Sequence, residues 1–295
     1  MTQAGVSRSP PSSRRPLAIV RSIAALRTQV AQWRRGGASI GAVPTMGGLH
    51  EGHLELVRRA QGDCERVVVT LFVNPMQFNN AADLASYPSD EAADAAALER
   101  LGVDLLFAPP VEEIYPEGFA TKVTVAQLTD CLCGISRPGH FDGVATVVAK
   151  LLGQLQADAA YFGEKDFQQL LVVQRLTRDL DIPVRIVGVP TVRDADGVAL
   201  SSRNVLLSTA QRAQAPLLYR VLSEIAGKLA AGAPAAPLLE AGRAALTAGG
   251  FERIDYLELR SADELELLER ADRPARVFAA AWLGQVRLID NVPVT

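Results

Sequence analysis

The sequence predicts an α/β protein: a doubly wound parallel sheet followed by a smaller α+β C-terminal domain. Three observations carry that expectation. Helix-like and strand-like segments alternate from about residue 20 to residue 189, as in a parallel sheet with helices on both faces. Residues 65–73 (Glu-Arg-Val-Val-Val-Thr-Leu-Phe-Val) form a continuous apolar, β-branched run, which suits a strand buried on both faces. After Pro190 the order changes to two helices and then three strand-like segments, the pattern of a separate antiparallel unit.

The elements follow in order. Residues 20–35 suggest a helix closed by Gly36-Gly37, and residues 39–43 a strand that Pro44 stops. A helix over 52–61, the buried strand, an alanine-rich helix over 89–101 and a strand over 103–108 come next. Then follow helix 143–156, strand 159–163, helix 166–180 and strand 184–189. Beyond Pro190 the sequence predicts helices over 209–230 and 237–248 with an Ala/Gly/Pro linker over 230–237. Strands over 253–260, 276–283 and 286–290 complete the chain, with a short helix near 262–269. The domains are therefore expected as a disordered basic tail over 1–16, a nucleotide-binding domain over 17–189 and the α+β domain over 190–295.

Composition narrows the function classes. The 295 residues are 48% hydrophobic and 21% charged, ordinary for a globular protein with room for two domains. A net charge of −3 gives no reason to expect nucleic acid as a partner. The start bears Arg8, Arg14 and Arg15 and no acid before Glu51, but its prolines oppose an amphipathic targeting helix. No stretch approaches the ~20 apolar residues that span a bilayer. Cys64, Cys131 and Cys133 are odd in number, which argues against a disulfide framework and for a reducing compartment. Cys131-Leu132-Cys133 also lacks metal-pair spacing, so all three read as structural.

Two of the three histidines stand in His50-Glu51-Gly52-His53, where the 39–43 strand gives way to the next helix through Pro44-Thr45-Met46-Gly47-Gly48-Leu49. Such a turn offers backbone N–H groups and the positive end of a helix dipole to an anion. Residues at i and i+3 share a helix face, so both imidazoles can address one ligand. The spacing differs from the i, i+4 pair of zinc proteases. A pair of solvated histidines is the plain alternative; the glycines around the turn favour a phosphate site and nucleotidyl transfer.

Three further loops share that design. Asn74-Pro75-Met76-Gln77 leaves the buried strand at its carboxyl end, where ligands collect in such sheets, although Gln77 could equally be loop surface. Gly163-Glu164-Lys165-Asp166 joins a strand end to a helix: Lys165 can hold phosphate oxygens, Asp166 can cap the helix, and Gln169 lies one turn on. Asp196-Gly197 signals a hairpin that delivers Ser201, Ser202 and Arg203, two hydroxyls and a fork-shaped cation. Arg137 to Gly143 supplies another basic loop ahead of a helix.

Taken together, the blocks Pro44–His53, Phe72–Phe78, Gly163–Gln169 and Leu200–Asn204 resemble the signatures of the pantothenate synthetase (pantoate–β-alanine ligase) family, over about residue 17 to the C-terminus. The resemblance implies the Rossmann-like domain of the H-x-G-H nucleotidyltransferases, with a smaller C-terminal domain closing over the active site. It implies a cytoplasmic homodimer that joins (R)-pantoate and β-alanine with ATP and Mg²⁺, through pantoyl adenylate. Carried onto this chain, ATP would lie against Met46, Gly47, Gly48, Leu49, His50, Glu51, Gly52, His53, Gly163, Glu164, Lys165, Asp166, Val192, Leu200, Ser201, Ser202 and Arg203. Catalysis would fall to His53, His50, Lys165 and Arg203; Gln77 and Gln169 would hold pantoate, and Gln77 also β-alanine. No protein ligand of the metal is assigned. Two alternatives stay open: another adenylyl- or cytidylyltransferase of the H-x-G-H group, and a non-catalytic nucleotide-binding module.

Overall fold

The computed structural model describes residues 16–295, and within these the chain forms two compact units. One takes the described residues up to Val125 together with Pro138–Glu164 and Val172–Pro190; the other takes Ala126–Arg137, Lys165–Leu171 and Thr191–Thr295. The expected basic tail over 1–16 lies outside the described residues except for Pro16.

The first unit opens with β1 (Ala18–Val20), α1 (Ile23–Arg35), β2 (Ile40–Thr45), α2 (Glu51–Asp63) and β3 (Arg66–Leu71). A short helix α3 (Ala81–Ala85), α4 (Glu91–Arg100), β4 (Leu105–Phe107) and α5 (Val111–Ile114) follow. Then α7 (His140–Leu155), β5 (Ala159–Gly163), α8 (Phe167–Asp179) and β6 (Arg185–Val189) complete the alternation, while the short α6 (Cys133–Ser136) and the start of α8 fall in the second unit. All six strands pair in parallel, in the order β1-β4-β3-β2-β5-β6. The direction of winding reverses between β2 and β5, and in such sheets the crevice beyond the strand ends at that point takes ligands. The β3 valines Val67, Val68 and Val69 are fully buried, and one core cluster combines β3 with Leu56, Val57 and Ala60 of α2 and Leu98 of α4. That is why the β3 sequence carries no polar alternation.

Two local expectations are corrected here. The 20–35 segment is not all helix: residues 18–20 pair with β4, and the helix begins at Ile23 after Ser22, whose side chain accepts the Ala25 N–H. Pro44 does not stop β2, which continues to Thr45. The Phe72 N–H donates to the Thr45 carbonyl, so Thr45 faces β3 and Pro44, one residue back, faces the β5 side. The β2–β5 ladder has already ended at Ala42, so the proline costs no ladder hydrogen bond.

In the second unit α9 (Thr209–Gln214), α10 (Pro216–Ala230) and α11 (Ala235–Ala248) precede the antiparallel sheet β7 (Arg253–Ser261), β8 (Ala275–Leu283) and β9 (Val286–Val294). The expected single helix over 209–230 is two, because Pro216 brings no N–H and starts a new helix. The expected helix near 262–269 is absent. The chain folds back on β7 instead: the Leu268 N–H donates to the Leu259 carbonyl, Arg260 and Leu267 form a bridge, and Leu265 is buried. β9 runs past its expected end through Pro293, which an edge strand tolerates. Leu222, Leu246, Leu259, Val277 and Ala279, all fully buried, join helices and sheet in one apolar layer.

One packing contact fixes the site described below. Helix α7 lies so close to the 3-10 turn Pro75–Gln77 that a Cβ on Gly143 would stand 2.3 Å from the Met76 carbonyl oxygen and 2.6 Å from the Gln77 nitrogen. Both obstacles are backbone and cannot rotate away. Gly143→Ala is therefore expected to destabilise the protein by about 1–3 kcal/mol through overpacking. Thermal unfolding checks this, and a melting temperature equal to the parent's would mean the turn is not seated on α7.

Candidate active site

The first unit builds its site where β2 ends. The Thr45 Oγ1 donates to the Thr70 carbonyl at 2.6 Å, which ties the ends of β2 and β3 together. Gly47 and Gly48 then turn the chain at φ +87° and +63°, values that a side chain resists. Asp94 of α4, only 4% exposed, accepts the Gly48 N–H at 2.9 Å and the Leu49 N–H at 2.8 Å. Burial pushes the Asp94 carboxyl above its ordinary pKa, against the opposing pull of those two donors.

The histidines come next. His50 is the N-cap of α2, and its Nδ1 accepts the Gly52 N–H at 3.1 Å. The His53 Nδ1 accepts the His50 N–H at 3.3 Å, closing a reciprocal capping box. Their ring centroids stand 4.0 Å apart. A ring nitrogen that accepts from a backbone N–H carries no proton, so each neutral imidazole holds its proton on Nε2. The pair therefore presents two N–H donors beside a helix N-terminus. This differs from the expected cradle of backbone amides, since the N–H groups of Gly48, Leu49, His50 and Gly52 all have protein partners here. Glu51 points elsewhere, to Arg58 at 2.5 Å.

Gln77 is not loop surface. It is 8% exposed, its Oε1 accepts from Asn74 Nδ2 at 3.0 Å, and its Nε2 donates toward the Met46 sulfur. Asn74 is held in turn by donation to the Gly143 carbonyl at 3.0 Å and by the Tyr115 hydroxyl, which donates to its Oδ1 at 2.7 Å. The Gln77 carbonyl accepts from Nδ1 of buried His140 at 2.8 Å, so the basic loop of the sequence serves this turn. The amide flip of Gln77 is thereby determined: oxygen inward, NH₂ toward Met46. Sequence reading did not single out Tyr115, and it gave Asn74, Asp94 and His140 no supporting role. A side chain that works through another leaves no spacing signal.

Gly163 and Glu164 stand at the carboxyl end of β5, the strand across the switch point from β2. Lys165, in the second unit, is mostly buried; its ammonium lies 3.7 Å from the Asp166 carboxylate, and its carbonyl accepts from Asn291 at 3.0 Å. Asp166 ends a 3-10 turn that runs straight into α8. Gln168, not Gln169, is the structural glutamine there: it is buried and bonds the backbone of Leu128, Cys131 and Cys133, while Gln169 is partly exposed.

The expected hairpin is present. The Leu200 N–H donates to the Val192 carbonyl at 3.0 Å, and the Asp194 and Val198 backbones pair around Gly197. Arg193 anchors it with a bidentate pair to buried Asp290 at 2.6 and 2.9 Å. Beyond the hairpin the Ser201 Oγ accepts the Arg203 N–H at 3.3 Å and caps the turn Ser202–Leu206, which carries Ser202 and Arg203. The cysteines are free thiols and all buried. Among the described residues no three His, Cys, Asp or Glu side chains gather as a metal cluster, and no helix is long and apolar enough to cross a membrane.

With this geometry in hand, known proteins supply the family. The family model for pantoate-beta-alanine ligase matches residues 18–293. A pantothenate synthetase of Roseobacter denitrificans is 57% identical over 94% of this chain and 97% of its own length, and one of a Chelativorans species is 59% identical over the same shares. Among solved structures, the pantothenate synthetase of Thermus thermophilus superposes with a TM-score of 0.89 at 50% identity, covering 94% of this chain and 99% of that one. The pantoate-beta-alanine ligase of Francisella tularensis, complexed with beta-gamma ATP and beta-alanine, gives 0.81 at 34% identity, covering 94% and 97%. The chain belongs to the pantoate–β-alanine ligase family, the ATP-dependent enzymes that form pantothenate.

Proposed function

We propose that this chain joins (R)-pantoate to β-alanine in two steps, with the imidazole pair of His50 and His53 assisting the first. The observation that carries the reading is the placement of that pair at a helix N-terminus, next to the switch point of the sheet, with Nδ1 of each ring engaged by a backbone N–H so that the neutral ring carries its proton on Nε2. A carboxylate cannot acylate an amine directly, because oxide is not a viable leaving group. In the first step a pantoate carboxylate oxygen bonds to the α-phosphorus of ATP, and the bond from that phosphorus to the pyrophosphate oxygen breaks. His53, with His50 beside it, donates to the phosphate oxygens as charge builds on them. Lys165 and Arg203 are assigned the same electrostatic duty. In the second step the β-alanine amine attacks the acyl carbon, AMP leaves with its oxygen, and the amine gives up a proton.

ATP is assigned to Met46, Gly47, Gly48, Leu49, His50, Glu51, Gly52, His53, Gly163 and Glu164 in the first unit. In the second it is assigned to Lys165, Asp166, Val192, Leu200, Ser201, Ser202 and Arg203. Glu51 would contribute through its backbone, since its carboxylate is engaged by Arg58. Gln77 suits an acceptor-rich ligand because its oxygen is already engaged, and its NH₂ would donate to the carboxylate or a hydroxyl of pantoate. Gln169 is assigned to pantoate as well, and Gln77 also to β-alanine. The complex of the Francisella relative with beta-gamma ATP and beta-alanine supports these substrates for this chain. Mg²⁺ would enter with the ATP phosphates, and no protein ligand is assigned to it. By family resemblance the enzyme would work as a homodimer in the cytoplasm.

His53→Ala is expected to slow adenylation by ~10²–10³-fold with a far smaller change in ATP affinity. Parental activity would remove His53 from the reaction. Gln77→Ala should weaken pantoate binding about tenfold to a hundredfold, the cost of a ligand oxygen left without its donor; an unchanged pantoate dependence would contradict its role. The two-step order requires pantoate-dependent exchange of labelled pyrophosphate into ATP with β-alanine absent. If exchange needs β-alanine, the adenylate does not form first. A stable nucleotidyl product, with no AMP released on adding β-alanine, would instead mark a nucleotidyltransferase of the same group.

A further inference from the structure

Three acids open helix α4, and the structure gives each a different partner. Asp90 caps the helix by accepting the Ala93 N–H at 3.0 Å. Glu91 is tied to Arg21. Asp94 alone is buried, and its two oxygens reach two consecutive N–H groups of another element, Gly48 and Leu49. Those two amides stand directly before His50, the residue that caps α2 and receives the His53 ring. A glycine at 47 makes the approach possible, since a Cβ there would lie 3.1 Å from the Asp94 Oδ2.

We propose that Asp94 is a positioning residue for adenylation: it fixes the Gly48-Leu49 turn, and through it the orientation and tautomer of His50 and His53. The inference rests on the reading of that imidazole pair as the phosphate donors. The physical need is plain. Consecutive N–H groups in a tight turn have no ladder to join, and when they are kept from water an unmatched donor costs free energy. A carboxylate with two acceptor oxygens satisfies both at once, and charge-assisted bonds hold geometry more firmly than neutral ones. Without it the turn would rotate its amides toward solvent, and the cap that sets the two Nδ1 atoms would shift with it. A displacement of about 1 Å at a reacting centre costs on the order of 10²-fold in rate.

Asp94→Asn tests this, because it keeps the shape but sets an NH₂ against one of the two backbone donors. The kcat of pantoate-dependent pyrophosphate exchange should fall roughly 10- to 100-fold, with the KM values for ATP and pantoate and the Mg²⁺ requirement changed less than about threefold. Nitrogen-15 NMR of the imidazoles reads the geometry directly, and with three histidines in the chain the spectrum is assignable. In the parent, His50 and His53 should each show a bare Nδ1 and a protonated Nε2, and the variant should lose that signature for at least one. The parent itself provides a second measurement: the Gly48 and Leu49 amides should exchange slowly with deuterium. Fast exchange there overturns the proposal even if the variant fails to fold. A folded variant with unchanged imidazoles also overturns it, and a raised Mg²⁺ requirement beside that result would assign the carboxylate to the ion. Loss of the imidazole signature while His53→Ala retains parental activity would instead uphold the positioning and sink the donor reading.

Discussion

The site depends on how one tight turn satisfies its own backbone. Between Thr45 and α2 the chain must reverse within a few residues, and its N–H groups lie beyond the reach of the sheet ladder. In this protein the Thr45 hydroxyl, the Asp94 carboxylate and the two histidine rings take up the N–H groups of Gly47, Gly48, Leu49, His50 and Gly52. The same bonds that complete the backbone also set the tautomers of His50 and His53. In the proposed reaction, structural satisfaction and the preparation of the two rings are therefore one network.

A second consequence concerns how charge is met. Backbone amides at a helix start are the ordinary anion site. Here several of them are already paired, and two imidazole rings stand beside them. With Nδ1 of each ring engaged by backbone, the neutral imidazole can act only as a donor from Nε2. The cost is that the rings must be held, which the capping box does with bonds of 3.1 and 3.3 Å.

Gln77 and the second unit follow the same logic of support. Gln77 faces one way because Asn74 engages its oxygen, and Asn74 is itself held by Tyr115 and by α7, whose approach only Gly143 permits. In the second unit the bidentate pair between Arg193 and buried Asp290 anchors the hairpin that leads into Ser201, Ser202 and Arg203. The Asn291 side chain, next in sequence to Asp290, reaches the Lys165 carbonyl at 3.0 Å. Neighbouring residues of β9 thus brace two separate loops.

Local patterns in the sequence determined the parallel sheet, the change of pattern after Pro190, the strand ends where the loops lie and the H-x-G-H block. Burial on both faces, turn chemistry and helix periodicity are written in adjacent residues, and the order of four such blocks was enough to point to the family. Tertiary structure decided the rest. Pro44 remains in a strand because the neighbouring ladder has stopped, β1 exists because β4 pairs with it, and 262–269 folds back on β7 instead of forming a helix. Asp94 looked like one acid among several in an alanine-rich helix, and Gln77 could not be told from loop surface. Their roles come from partners 45 and 46 residues away for Asp94, and from a helix 69 residues beyond Asn74 for the Gln77 turn. A sequence records which groups a residue carries, but which donor meets which acceptor is settled only when packing brings distant backbone together and excludes water.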